Sequence, residues 1–92
     1  MKYIFLGIID SNWLSKQGER YLKASAKLQQ LGIKLESVYY TQGQYDFVET
    51  IEAPGPSSVL GFTIWYSKKG FGTIQTLPAF EDKEIRKIIK KG

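Results

Sequence analysis

The chain has 92 residues, a size that one hydrophobic core serves, and it carries a formal net charge of +4 with no histidine and no cysteine. The missing cysteine removes disulfides, thiolate catalysis and cysteine zinc sites, and the missing histidine argues against a hydrolytic triad or a conventional zinc centre. Any acid–base work falls to carboxylates, tyrosines or a lysine with a displaced pKa, and no metal or cofactor is expected.

Tyr3-Ile4-Phe5-Leu6-Gly7-Ile8-Ile9 is a continuous apolar run that stops at the polar turn Asp10-Ser11-Asn12. Its shortness and its β-branched and aromatic content predict a strand buried on both faces. The run is too short to span a bilayer, which needs about 20 apolar residues. Asn12-Trp13-Leu14 follows it, where a secretory leader would place small residues. A soluble, cytoplasmic protein with no membrane partner is the expectation. The segment Asp10 to Leu14 reads as a loop.

Ser15 or Gln17 opens a helix that reaches Leu31. Tyr21, Ala24, Leu28 and Leu31 form its apolar stripe, and Gly32 sits where a left-handed cap is expected. Ile33 to Tyr40 then alternates as a strand. Thr41-Gln42-Gly43-Gln44 makes a turn, with Gly43 free to take a positive φ, and Tyr45 to Glu52 resumes the alternation. Two strands joined so closely form an antiparallel hairpin. Tyr45, Phe47, Glu49 and Ile51 share one face by period two, and Asp46, Val48, Thr50 and Glu52 share the other.

Ala53-Pro54-Gly55-Pro56 ends that strand, because proline donates nothing to a ladder. Val59, Phe62, Thr63 and Tyr66 lie at i, i+3, i+4 and i+7, which predicts a helix to Ser67 capped by Ser57 or Ser58. Local propensity dissents, since Phe62 to Tyr66 would suit a strand. Gly72 to Ala79 is the last strand. Glu81 and Asp82 begin a final helix whose Ile85, Ile88 and Ile89 form a stripe beside Arg86, Lys87, Lys90 and Lys91. The cations read as a solvated helix face, which leaves nucleic-acid binding a weak third possibility.

The order of elements is that of one α+β domain spanning residues 1–92. It predicts a ferredoxin-like βαββαβ sandwich, with an antiparallel four-stranded sheet, both main helices on one face and an extra C-terminal helix. The first and third strands are then central. The first strand is apolar on both sides, so the face away from the helices needs a cover. The C-terminal helix is one candidate. A second copy packed sheet to sheet is the expected one, as a homodimer or a higher oligomer.

Tyr39, then Gly43-Gln44-Tyr45-Asp46, then Glu52-Ala53-Pro54 resembles the GYD-domain family, named for its glycine–x–tyrosine–aspartate turn. Gly72 before the last strand and Ala79-Phe80 before the acidic helix start fit as well. The likeness covers most of the chain after Gly18 and implies a dimeric α/β-barrel assembly of ferredoxin-like subunits. The first helix reads as shorter than the family's, without its early arginine-containing turn.

Five residues are candidates for contact with a ligand: Trp13, Tyr39, Tyr45, Asp46 and Glu49, with Gly43 as a structural turn residue. Asp46 could serve as a base or fix a polar group, and the plainer alternative is that it binds backbone N–H groups and holds the turn. Tyr39 and Tyr45, with Tyr40, could line a cleft or simply pack across strands. Trp13 could gate a pocket or anchor its loop to the core. Glu49 could be buried with a raised pKa and move protons, or it could be an exposed or ion-paired strand residue. Negative charge at Asp46, Glu49 and Glu52 argues against RNA reading. The leading expectation is a homo-oligomeric module that binds a small apolar or aromatic molecule. The alternative is a cofactor-independent enzyme, monooxygenase- or isomerase-like, working with a carboxylate and tyrosines in the barrel cavity.

Overall fold

The computed structural model describes residues 1–91. In chain order it contains β1 (Lys2–Ile9), a 3-10 helix (Ser11–Lys16), α1 (Gln17–Gln30), β2 (Lys34–Tyr40), β3 (Phe47–Glu52), α2 (Pro56–Lys68), β4 (Gly72–Pro78) and α3 (Asp82–Lys91). The strands form one sheet in the order β2-β3-β1-β4. Every neighbouring pair is antiparallel, which is the ferredoxin-like arrangement. No helix among the described residues is long and apolar enough to cross a membrane.

Strand β1 is central and sends its side chains both ways. Tyr3, Phe5 and Ile9 are buried under the helices together with Phe47 and Ile51 of β3. Val59, Phe62 and Tyr66 of α2 close over them, so the 3.6-residue periodicity prevails over the β-propensity of that segment. The core is largely aromatic. Phe5 stacks on Phe62 with ring centroids 5.6 Å apart, and Tyr66 meets Phe71 edge-on at 5.4 Å. Fully burying side chains of this size contributes roughly 1.5–3 kcal/mol each, enough to hold a sheet covered on one face only.

The glycines behave as their places demand. Gly32 and Gly70 follow α1 and α2 with φ of 72° and 75°, ending each helix in the left-handed region. A Cβ on Gly7 would fall inside the Phe47 ring, so the missing side chain is what lets that ring lie across β1.

Three local expectations need correction. Asp10 to Leu14 is not a loop, because a 3-10 helix begins at Ser11 and runs directly into α1; the Asp10 carboxylate accepts from the Asn12 N–H at its start. Helix α2 has Gly55 at its N-cap and Pro56 in its first turn, with no serine side chain capping it. The buried stripe of α1 keeps Ala24 and Leu28, with Leu31 packed against the core, but Arg20 is buried in the place expected for Tyr21, which is 36% exposed.

The second face of the sheet is open. The register places Ile4, Leu6 and Ile8 beside Val48, Thr50 and Leu77, with Tyr39 and Ser37 farther out. Helix α3 does not shelter them. It has no buried residue, and Ile88 and Ile89 are 64% and 71% exposed.

Candidate functional site

The sequence candidates fall on different sides of the sheet. Glu49 lies on the helix side, opposite Phe5 on β1 and Val38 on β2. Tyr39 lies on the open side opposite Val48 and is 68% exposed. Tyr45 precedes β3 and does not share the Glu49 face. Its hydroxyl donates to the side chain of Gln75, which neighbours Leu6 on the open side.

Asp46 is tied to the backbone. Its N–H donates to the Gly7 carbonyl at 2.7 Å, and its carboxylate accepts from the Ile9 N–H at 2.7 Å. Its carbonyl accepts from the Thr41 N–H at 2.9 Å, closing the hairpin turn that Gly43 enters with φ of 129°. These bonds fasten the turn to the end of β1. Trp13 stands edge-on to Phe71, with ring centroids 4.6 Å apart, and Lys16 lies 5.3 Å from its ring. It seats the 3-10 helix against the core.

Glu49 sits in a cluster that the spacing of the sequence does not announce. It is 8% exposed, and Arg20 of α1 is 3% exposed. Arg20 donates from Nη1 to the Tyr66 hydroxyl at 3.0 Å, and from Nε and Nη2 to Gln17 Oε1 at 3.3 and 3.0 Å. Its guanidinium lies 5.3 Å from the Phe47 ring centroid. One buried cation thus ties α1 to α2 over the face of β3.

The Glu49 side chain makes neither a hydrogen bond nor an ion pair within 4.0 Å among the described residues. No wholly buried side-chain oxygen or nitrogen lacks a partner, so the Glu49 oxygens keep a narrow opening to solvent. Burial pushes its carboxyl up to about 7, against the opposing pull of Arg20. Burial likewise pushes the Tyr66 phenol up to about 12, again opposed by Arg20, so Tyr66 stays protonated and accepts from the guanidinium. At neutral pH the cluster combines a carboxyl near its midpoint, a fixed cation and a phenol, which is a set suited to receiving and returning a proton.

Arg20 escapes sequence reasoning because a single arginine in a helix reads as solvated. The available signal was its position, four and eight residues before Ala24 and Leu28 on the buried stripe. A separate cleft of about 490 Å³ runs between α1 and α2, lined by Leu31, Ile64 and Trp65 with three lysines. None of the residues singled out as ligand candidates lines it.

Comparison with known proteins agrees with this architecture. A family model described as the GYD domain matches residues 11–89. Among solved structures, the chain is similar to 5-chloro-2-hydroxyhydroquinone dehydrochlorinase (TftG) from Burkholderia phenoliruptrix AC1100, in complex with 2,5-dihydroxybenzoquinone. The TM-score is 0.64 at 17% identity, covering 91% of this chain and 98% of that one, which establishes a shared fold. A search of curated proteins finds no match in sequence.

Proposed function

The chain belongs to the GYD-domain family, and from that premise we propose that it is a self-associating protein that binds a small aromatic molecule on the helix side of its sheet. The observation that carries the self-association is the open sheet face. Ile4, Leu6, Ile8, Val48 and Leu77 lie together on it, and no helix among the described residues covers them. Contiguous apolar surface of this kind marks an interaction site. A two-fold partner presenting the same face buries both at once, with sheets about 10 Å apart. The uncovered isoleucines of α3 supply further surface to the same association.

If the open faces meet, their side chains fill the space between the sheets, and the ligand site is left to the other side. There the Arg20–Glu49–Tyr66 cluster offers polar groups among the rings of Phe47, Tyr66 and Tyr40. An aromatic ligand in a protein of the same fold makes aromatic rings the first class to try. Light scattering on the purified protein is the test. A dimer or larger species is expected at micromolar concentration, with Leu6→Lys giving folded monomer; a monomeric wild type would end this reading.

A second reading, cofactor-independent catalysis, is favoured by one observation: Glu49 is poised to titrate near neutrality beside Arg20. In that reading Glu49 is the acid–base group and Arg20 holds the charge that develops on substrate.

A further inference from the structure

The cleft between α1 and α2 combines an apolar floor with an uncompensated cationic rim. Leu31 and Trp65 are half-buried against the core, and Ile64 beside them is 50% exposed. Trp65 meets Phe71 edge-on at 5.6 Å and Phe62 at 5.8 Å, so the core fixes its ring as a rigid wall. Lys27, Lys68 and Lys69 line this cleft of about 490 Å³, and a smaller hollow of about 290 Å³ continues past Trp65 to Lys23. No carboxylate lines either space among the described residues. Lys23 is paired with Glu19 at 3.1 Å, whereas Lys27, Lys68 and Lys69 form no ion pair among the described residues. Lys27 Nζ donates to the neutral Gln30 Oε1 at 3.3 Å and lies 5.9 Å from the Trp65 ring centroid, so the cation leans over the apolar floor. Lysines in a last helical turn also complement the helix dipole. That accounts for their sign, but not for the hollow they surround.

Gly61 adds an independent feature. It lies inside α2 without a positive φ, a place where glycine is less favourable than any residue but proline. A Cβ on it would meet nothing within 4 Å, so no neighbouring side chain requires the glycine. Its effect falls on the cleft, which it lines and which a side chain there would fill.

We propose that this cleft binds a small organic anion, with its apolar body on Leu31, Ile64 and Trp65 and its carboxylate or other oxyanion among Lys27, Lys68 and Lys69. The volume falls within the roughly 300–1,000 Å³ of ordinary small-molecule sites. Unbalanced positive charge repels amines and attracts oxyanions. The cations surround one hollow and do not run as a track, which favours a small anion over a nucleic-acid strand. Arg20, Glu49 and Tyr66 do not line the cleft, so the proposal does not rest on that cluster. The cleft belongs to the helix layer, away from the open sheet face, and stays accessible when two sheets meet.

The experiment titrates the full, uniformly isotope-labelled chain with cinnamate, cinnamyl alcohol and acetate at millimolar concentration, followed by NMR. Cinnamate is expected to shift the Gly61 and Ile64 amides together with the Trp65 indole N–H. Cinnamyl alcohol lacks the charge and acetate lacks the ring, so each should bind at least about tenfold more weakly. Joint Lys27→Gln, Lys68→Gln and Lys69→Gln substitution should weaken cinnamate by a similar factor, while Lys87→Gln with Lys90→Gln on α3 leaves it unchanged. Gly61→Leu should abolish binding with Tm unchanged or raised, because the helix interior disfavours glycine; should Tm fall, the lysine variants decide alone. Equal affinity for cinnamyl alcohol, or affinity untouched by the three cleft substitutions, would overturn the proposal. So would shifts confined to Leu6 and Val48 or to Phe47 and Glu49. Failure of cinnamate to bind would overturn it too, whether or not a DNA oligonucleotide or an acidic peptide occupies the same face.

Discussion

Replacing Glu49 by glutamine should stabilise the protein, and by an amount that depends on pH in a calculable way. Burial raises the carboxyl from 4.5 to about 7 against the pull of Arg20, which at about 1.4 kcal/mol per pH unit corresponds to roughly 3 kcal/mol. Below pH 4.5 the group is protonated in both folded and unfolded chains and contributes no difference. Between 4.5 and 7 the folded chain holds a proton that the unfolded chain has released, so stability declines as pH rises. Above 7 the group is ionised in both, and the full penalty remains. Glutamine fills nearly the same volume and never ionises. The groups that act on position 49 are Arg20 from α1 and the Tyr66 phenol from α2, which burial pushes up to about 12, far above this range. Glu49→Gln should therefore match wild type at pH 4 and exceed it by roughly 3 kcal/mol at pH 8, about 10 °C or more in Tm for a domain of this size. Urea unfolding at both pH values, at one fixed protein concentration, measures the difference. Parallel stability curves for the two proteins would refute the reasoning, and so would a variant weaker than wild type at pH 8.

Other consequences follow from contacts already described. Asp46→Ala removes the acceptor of the Ile9 N–H and should cost about 1–3 kcal/mol in denaturant unfolding, with hydrogen exchange rising first at Ile9 and the hairpin turn. Gly7→Ala places a methyl within the Phe47 ring and should cost on the order of 2 kcal/mol or more, read as a fall in unfolding midpoint. Ile88→Glu with Ile89→Glu alters side chains that are mostly exposed, so circular dichroism should be nearly unchanged while the sedimentation coefficient falls. Leu6→Lys should likewise leave the monomer folded, because the open side of β1 tolerates charge in water, and should abolish association.

Much of the architecture was legible in the sequence because local rules and packing agreed. The double-sided apolar run of β1, the period-two hairpin and the glycines after each main helix all pointed one way, and Gly32 and Gly70 take the positive φ their positions predict. At α2 two local rules disagreed. Pattern won because Val59, Phe62 and Tyr66 are covered by the sheet, and burial outweighs a few tenths of a kcal/mol of propensity per residue. The 3-10 helix was not legible, since its fold depends on Trp13 finding Phe71 far along the chain. The candidate site was half legible. Period two placed Glu49 on a face with Phe47 and Ile51, but which face the helices cover is a tertiary fact. Tyr45 broke the pattern because β3 begins only at Phe47, leaving its side chain free to cross β1 toward Gln75. Arg20 signalled its burial only through its spacing to Ala24 and Leu28, and the group that satisfies it, Tyr66, is brought near only by the packing of α2.

The bonds around Asp46 bear on how the family's eponymous letters should be understood. An aspartate that grips the Ile9 amide, with its own amide donating to Gly7, works as a clasp between the hairpin and the central strand. Letters of that kind propagate a shape. Chains that keep the clasp should share this join between hairpin and central strand while remaining free to differ in what they bind, so the signature turn reports a fold and not a ligand.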